Sequence, residues 1–244
     1  MINKLDLISF IKKYYLDLNE SVKWSSEENN LIVSFQTPAK EVIGKVTGKG
    51  FPTFENDICI FDTKKLQSLV SICVGEILME VETTHKIATT LKLRDSSYDL
   101  SYALADPLLI RKVGSVNVPS WDAKVELTPE DILNLYKAKS ALAEADNMTI
   151  STKYIDNICK FVFSFGDEKG HNNKIKYYVN AFEDSVTNIK IPFNANIFKS
   201  ILTANKDVDT ATLYLNQQGL LKAEFTSEKI DSEYYMVRKA EEIF

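Results

Sequence analysis

The sequence predicts an α+β fold made of two similar halves, and three observations carry that reading. Each half runs helix, strands, helix, strands. The junction Ile60-Phe61-Asp62, followed by Leu66, Leu69 and Val70, recurs at a constant offset of 132 residues as Pro192-Phe193-Asn194, followed by Phe198, Ile201 and Leu202. Element order and junction together favour an internal duplication. Finally, 244 residues at 45% hydrophobic and 26% charged give two domains of about 120 residues each enough apolar material for a core.

The elements follow in order. Leu7, Ile8, Phe10, Ile11, Tyr14, Tyr15 and Leu18 share a broad helical face over 4–18. Alternating runs at 31–35, 42–46 and 57–61 read as strands divided by polar or Gly/Pro turns. Asp62 or Thr63 caps a helix over 64–74, with Leu66, Leu69, Val70 and Cys73 on one face. Strands follow at 77–83, 86–93 and 97–104. The aperiodic stretch 106–124 reads as an interdomain connector. Thr128-Pro129-Glu130-Asp131 is a helix start with a capping hydroxyl, Pro at the first position and acids at the positive end of the dipole. That helix runs to about Ala145. Strands come next at 147–152, 158–165, 174–182 and 188–193, then a helix over 195–205 capped by Asn194. Strands at 210–216, 219–226 and 232–238 close the chain. The expected domains are 1–111 and 125–244, joined by a connector over 112–124.

The chemical inventory points away from an enzyme. The two histidines, His85 and His171, both sit among turn formers. There is no CxxC pair, GxGxxG, Walker A loop, HExxH, GxSxG or EF-hand loop, so no metal or cofactor site is signalled. Carboxylates abound, and a carboxylate-only hydrolase stays open on this ground alone. Three cysteines, Cys59, Cys73 and Cys159, are too few for a disulfide framework and suit a reducing cytoplasm. No apolar run approaches the roughly 18 residues of a membrane-spanning helix. The opening Met1-Ile2-Asn3-Lys4-Leu5-Asp6 does not read as a signal peptide, because charge interrupts it.

The net charge of −5 conceals an asymmetry. The four helices, taken as 3–18, 63–74, 129–145 and 194–206, hold nine lysines against five acids. They net +4 and leave −9 for the rest of the chain. At 100° per residue, Lys12, Lys13, Lys64, Lys137, Lys199 and Lys206 point away from the apolar faces, whereas Lys4, Lys65 and Lys139 fall nearer to them. Solvation of exposed helix faces accounts for any one of these lysines. The pattern across four helices suits a polyanion, met through sequence-independent phosphate contacts. No aromatic residue interleaves the lysines on the outer faces, which disfavours a stacking platform for single strands.

Several segments then resemble one family, the DNA sliding clamps, and within it the processivity clamps of T-even-type bacteriophages. They are Ile60-Phe61-Asp62 with Leu66-Gln67-Ser68-Leu69-Val70-Ser71, and Ser97-Tyr98 through Ala103-Leu104-Ala105-Asp106-Pro107. Glu130-Asp131-Ile132 through Leu135-Tyr136-Lys137, and Phe225 through Tyr234-Tyr235 with a terminal Phe244, complete the set. Order, spacing and total length carry the resemblance. The Lys12-Lys13 pair and the polar loop 166–173 have no counterpart in it.

The resemblance implies two domains per chain, each with two helices on antiparallel sheet layers. Six domains, as a homotrimer, close a ring around double-stranded DNA. It implies no catalysis and no cofactor. The basic helices would line the lumen, and a polymerase C-terminal peptide would dock under the connector. Val116, Val118, Pro119 and Trp121 are the candidates there, with Ile243 and Phe244; Trp121 packing the domain junction is the alternative. A clamp loader and late-transcription factors complete the implied partners. The implied setting is the cytoplasm of an infected bacterium, at the replication fork, with no membrane. A replication accessory that closes no ring, and a structural virion protein, are the competing readings.

Overall fold

The computed structural model describes residues 1–114, 116–118, 120–166 and 173–239. They fall into two units: Met1–Ser115 with Glu228–Ser232, and Val116–Ser227 with Glu233–Phe244.

The first unit opens with β1 (Ile2–Asn3) and α1 (Lys4–Tyr15), followed by β2 (Val22–Glu27), β3 (Asn30–Gln36), β4 (Val42–Lys49) and β5 (Ile58–Ile60). Then come α2 (Thr63–Ile72), β6 (Glu76–Thr84), β7 (Ile87–Arg94) and β8 (Asp99–Ala103). The strands form two antiparallel four-stranded arrays, in the orders β5-β2-β3-β4 and β1-β6-β7-β8. Helix α1 lies on β3 and β4 and against α2. Its core face, Leu7, Phe10, Ile11 and Tyr14, is buried, and Phe10 meets Tyr14, Trp24 and Phe51 with ring centroids 5.4–5.7 Å apart. Such edge-on and tilted contacts suit the aromatic quadrupole. Gly48 makes room for this cluster, since a Cβ there would stand 2.5 Å from the Phe51 ring. The Lys49 N–H donates to the Lys229 carbonyl at 2.8 Å. Lys49 also ion-pairs with Asp231 at 3.0 Å, and Lys229 with Asp6 at 2.6 Å.

The second unit repeats this order. It has β9 (Ala123–Leu127), α3 (Pro129–Ala141), β10 (Asn147–Ile155), β11 (Ile158–Phe165), β12 (Ile175–Asn180) and β13 (Lys190–Asn194). Then come α4 (Ala195–Ala204), β14 (Thr210–Asn216), β15 (Leu220–Thr226) and β16 (Ile230–Val237). Its arrays run β13-β10-β11-β12 and β9-β14-β15-β16, the first unit's orders strand for strand. Helices α3 and α4 lie against each other and on the first of these arrays. Phe161, Phe163, Phe165 and Phe198 are fully buried between them. The hairpin turns His85-Lys86 and Asp156-Asn157 are each two residues long with both φ angles positive, from 51° to 66°, the geometry that follows the strand twist.

The structure corrects the sequence reading at three strands and at the repeat. Strands β1, β2 and β9 were not expected: β1 spans only two residues, and the serines of β2 dilute its alternation. Strand β9 alternates Ala123, Val125 and Leu127 with Lys124 and Glu126, yet begins inside the stretch assigned to the connector. The repeat offset also slips by one at the strand. The caps Asp62 and Asn194 stand 132 apart, but the buried Ile60 corresponds to the buried Phe193, while Phe61 is 48% exposed. The α2 junction is longer by one residue.

Helix α3 is fixed by a capping box between Thr128 and Asp131, and Tyr177 of β12 donates its hydroxyl to Asp131 Oδ1 at 2.7 Å. Burial alone would raise the Asp131 pKa, but the Thr128 and Tyr177 hydrogen bonds outweigh it and hold the group below its ordinary 3.8. A lowered folded-state pKa stabilises above the unfolded value and is lost as pH falls through the folded one. Asp131→Asn should therefore cost about 1–3 kcal/mol in urea unfolding at pH 7. That deficit should shrink on acidification below the ordinary carboxylate pKa.

Candidate nucleic-acid interface

Cations can meet a polyanion only if their helices are held by their other faces and by their ends. Asn3 caps α1, accepting from Leu5 N–H at 2.9 Å, and Asp62 caps α2, accepting from Lys65 N–H at 2.7 Å. Asn194 caps α4 through Asn196 and Ile197 N–H, and at its other end Asn205 donates to the Ile201 carbonyl and the Tyr234 hydroxyl, both at 2.9 Å.

On this frame Lys12, Lys64, Lys65, Lys137 and Lys206 are exposed, and Lys4 and Lys199 are half-buried. The α1–α2 contact puts Lys12, Lys64 and Lys65 on one helix pair, and the α3–α4 contact does the same for Lys137, Lys199 and Lys206. Two assignments fail. Lys13 is 0% exposed and Lys139 1%, so neither reaches an outside phosphate. The two occupy equivalent places, each three residues before the cap residue, Leu16 in α1 and Leu142 in α3. Lys139 Nζ turns back to the Leu142 carbonyl at 3.3 Å and the Ala143 carbonyl at 2.9 Å. A cation in the last turn thus satisfies carbonyls that the helix leaves open. Burial, then the charge of Lys199, pushes the Lys139 pKa down. The helical wheel set Lys139 nearer the apolar face, in line with its burial, but set Lys13 away from it.

The expectation of no aromatic residue among the lysines is also corrected. Tyr136 is 36% exposed on α3, and Lys199 Nζ lies 5.2 Å from its ring centre. The signal was the α3–α4 contact, which no single helix encodes.

The connector candidates divide. Val116 and Val118 are half-buried, while Pro119, Ile243 and Phe244 lie outside the described residues. Trp121 is half-buried, its ring 5.8 Å from that of Tyr214 and 6.3 Å from that of Tyr235. Lys222 stands 5.5 Å from each of those two tyrosine rings and pairs with Glu224 and, at 2.8 Å, with Glu233. Burial works against the Lys222 charge, but the two carboxylates hold its pKa above the ordinary lysine value. Lys124, opposite Tyr214 on β9, lies 4.6 Å from the Phe182 ring centre. Sequence reasoning missed Tyr214 and Tyr235, which meet Trp121 only through strand register.

Among the described residues no group of three or more His, Cys, Asp and Glu is placed to hold a metal ion, and no helix is long and apolar enough to cross a membrane. The three cysteines are free and buried.

Two units of one topology, each with two helices packed on antiparallel strands, make this the DNA-clamp fold. Two solved structures of PCNA share it. The PCNA of A. fulgidus, bound to the C-terminal region of FEN-1, matches with a TM-score of 0.77 at 17% identity, over 98% of this chain and 97% of that one. Proliferating cellular nuclear antigen from Entamoeba histolytica matches at 0.74 and 14%, over 98% and 96%. The sequence matches no family model and no curated protein.

The burial contrast is testable. Lys12→Glu should leave the melting temperature nearly unchanged. Lys139→Glu, which buries a carboxylate against two carbonyls, should cost at least about 3 kcal/mol or prevent folding. Thermal melts of the two variants compare them directly.

Proposed function

We propose that this protein is a sliding clamp that encircles duplex DNA and tethers a polymerase to it. The observation that carries the reading is the doubled clamp fold with lysines turned outward on both helix pairs. Lys12, Lys64, Lys137, Lys199 and Lys206, with Lys4 and Lys65, would face the duplex. Point charges on flexible stems give phosphate contacts without base reading, and screened, interchangeable contacts let a ring slide. Tethering then acts through effective concentration rather than through tight DNA binding. No bond is made or broken, so the protein is not an enzyme in this reading.

Closure needs three copies. Strands β8 and β12 are the end strands of their arrays. Their topological counterparts are β16 and β4. Edge pairing between copies would join β12 of one to β8 of the next and make a six-domain ring.

The finer reading is a processivity clamp of T-even phage type, and it rests on the sequence resemblance. It brings a clamp loader, a polymerase C-terminal peptide and late-transcription factors as partners, in the cytoplasm of an infected bacterium. The peptide would dock near Val116, Val118 and Trp121, with Pro119, Ile243 and Phe244 as further candidates. A PCNA of this fold does bind the C-terminal region of FEN-1, which supports a peptide partner.

Light scattering over a rising concentration series should plateau near three times 27.7 kDa, about 83 kDa. A monomer at every concentration would overturn the ring. A second measurement tests the lumen. Changing Lys12, Lys64, Lys137 and Lys199 together to Glu should reduce loading and processive synthesis on primed circular DNA at least about ten-fold at low salt, with the assembled mass unchanged. Normal processivity in that variant would remove these lysines from DNA contact.

A further inference from the structure

The outer face of β13-β10-β11-β12, turned away from the helices, is basic although the chain as a whole is acidic. Register defines it row by row. Lys153 stands directly opposite Lys160, which stands opposite Asn180. Lys190, Ser151, Val162 and Tyr178 form the next row, and Pro192, Thr149, Ser164 and Lys176 the one after. Lysines therefore come from all four strands, and no carboxylate lies in these rows. Lys153 and Lys176 are exposed and Lys160 is half-buried, and none of the three ion-pairs with a carboxylate among the described residues.

Two comparisons make this face unusual. In the other unit, the cations on β7 are matched: Lys92 pairs with Glu82 at 3.6 Å, and Arg94 with Glu80 and Asp99 at 3.0 Å each. Like charges placed directly opposite on neighbouring strands are destabilising. The Lys153–Lys160 pair bears that cost with no acid beside it, in a chain of net charge −5. Between the lysines Ser151, Val162 and Ser164 are buried, and Tyr178, opposite Val162 on β12, is 47% exposed.

We infer that this face is a second nucleic-acid site, outside the helix surface, that takes a single strand. Lys153, Lys160 and Lys176 contact phosphates along the strand, and the Tyr178 ring stacks on one base. The choice of a single strand follows from the tyrosine. A duplex keeps its base faces stacked inside, and an acidic polypeptide has none to offer, whereas an unpaired base presents a π-face that any aromatic side chain can meet. A pleated sheet, with strands about 4.8 Å apart and same-face residues about 7 Å apart along each strand, spreads point charges under an extended backbone. For a protein that holds duplex through its helices, such a face would keep an unpaired strand alongside. The inference itself stands on the sheet alone.

The test is fluorescence anisotropy of labelled dT20 with the full-length protein, between about 50 and 200 mM salt. Binding should weaken with salt at a logarithmic slope of about −2, as expected for three phosphate contacts on a single strand. Changing Lys153, Lys160 and Lys176 together to Gln should weaken binding at least ten-fold and flatten the slope. Tyr178→Leu should weaken it about five-fold or more with the slope retained. In the background of the Lys12, Lys64, Lys137 and Lys199 to Glu variant, the Lys-to-Gln and Tyr178→Leu changes should still weaken dT20 binding by the same factors, which separates this site from the helix surface. Circular dichroism of each variant checks that it is folded. Failure of the wild type to bind, equal binding by the Lys-to-Gln variant, or equal competition by poly-glutamate or by duplex of the same length would each overturn the site.

Discussion

Three of the four helices depend on tyrosine hydroxyls that pin their ends to strands. Tyr177 of β12 donates to Asp131 in the first turn of α3, Tyr102 of β8 bonds the backbone of the cap residue of α2, and Tyr234 of β16 accepts from Asn205 at the end of α4. A tyrosine suits this task because its ring joins the apolar layer while its hydroxyl reaches the polar helix end. The apolar faces alone fix a helix's rotation loosely. A bond at its terminus fixes where the opposite, charged face points. The exposed lysines of α2, α3 and α4 are thus positioned by groups on the far side of their helices.

That far side also decided which lysines count. Nine lysines on four helices gave the sequence its charge asymmetry, and two of them, Lys13 and Lys139, turn inward. The lysine stem is apolar enough to cross a helix–sheet layer, and the last-turn carbonyls reward the ammonium that arrives. The positive helix surface survives the loss, because Lys12, Lys64, Lys65, Lys137 and Lys206 are exposed. Nor do the strands carry the chain's acid excess: one array is lysine-faced, and the other unit's β6–β8 array is laced with ion pairs. Net charge averaged over element types conceals both.

Most of the architecture was legible because it rests on local signals. The Thr128 capping box, the caps Asp62 and Asn194, and the three-and-four spacing of Leu66, Val70, Phe198 and Leu202 all act within one turn. Strands β2 and β9 escaped for opposite reasons: serines blur the alternation of the first, and the second is clean but adjoins an aperiodic stretch. The candidate site was legible only as far as a single helix reaches. Lys199 over Tyr136, and Trp121 against Tyr214 and Tyr235, arise where distant segments meet, and periodicity carries no information about such meetings.

The short segment Glu228–Ser232 has a consequence for the order in which the molecule is made. It belongs to the first unit, where Lys49 meets Asp231 across 182 positions of chain and Lys229 meets Asp6 across 223. Closing loops of that length is slow, and during synthesis it must wait until Asp231 has left the ribosome. The unit translated first is therefore completed last. Until then the strand edge that ends at Lys49 stands open, and nascent chains are most vulnerable to pairing with one another at that edge. The two halves share one topology, but in time they are not equivalent.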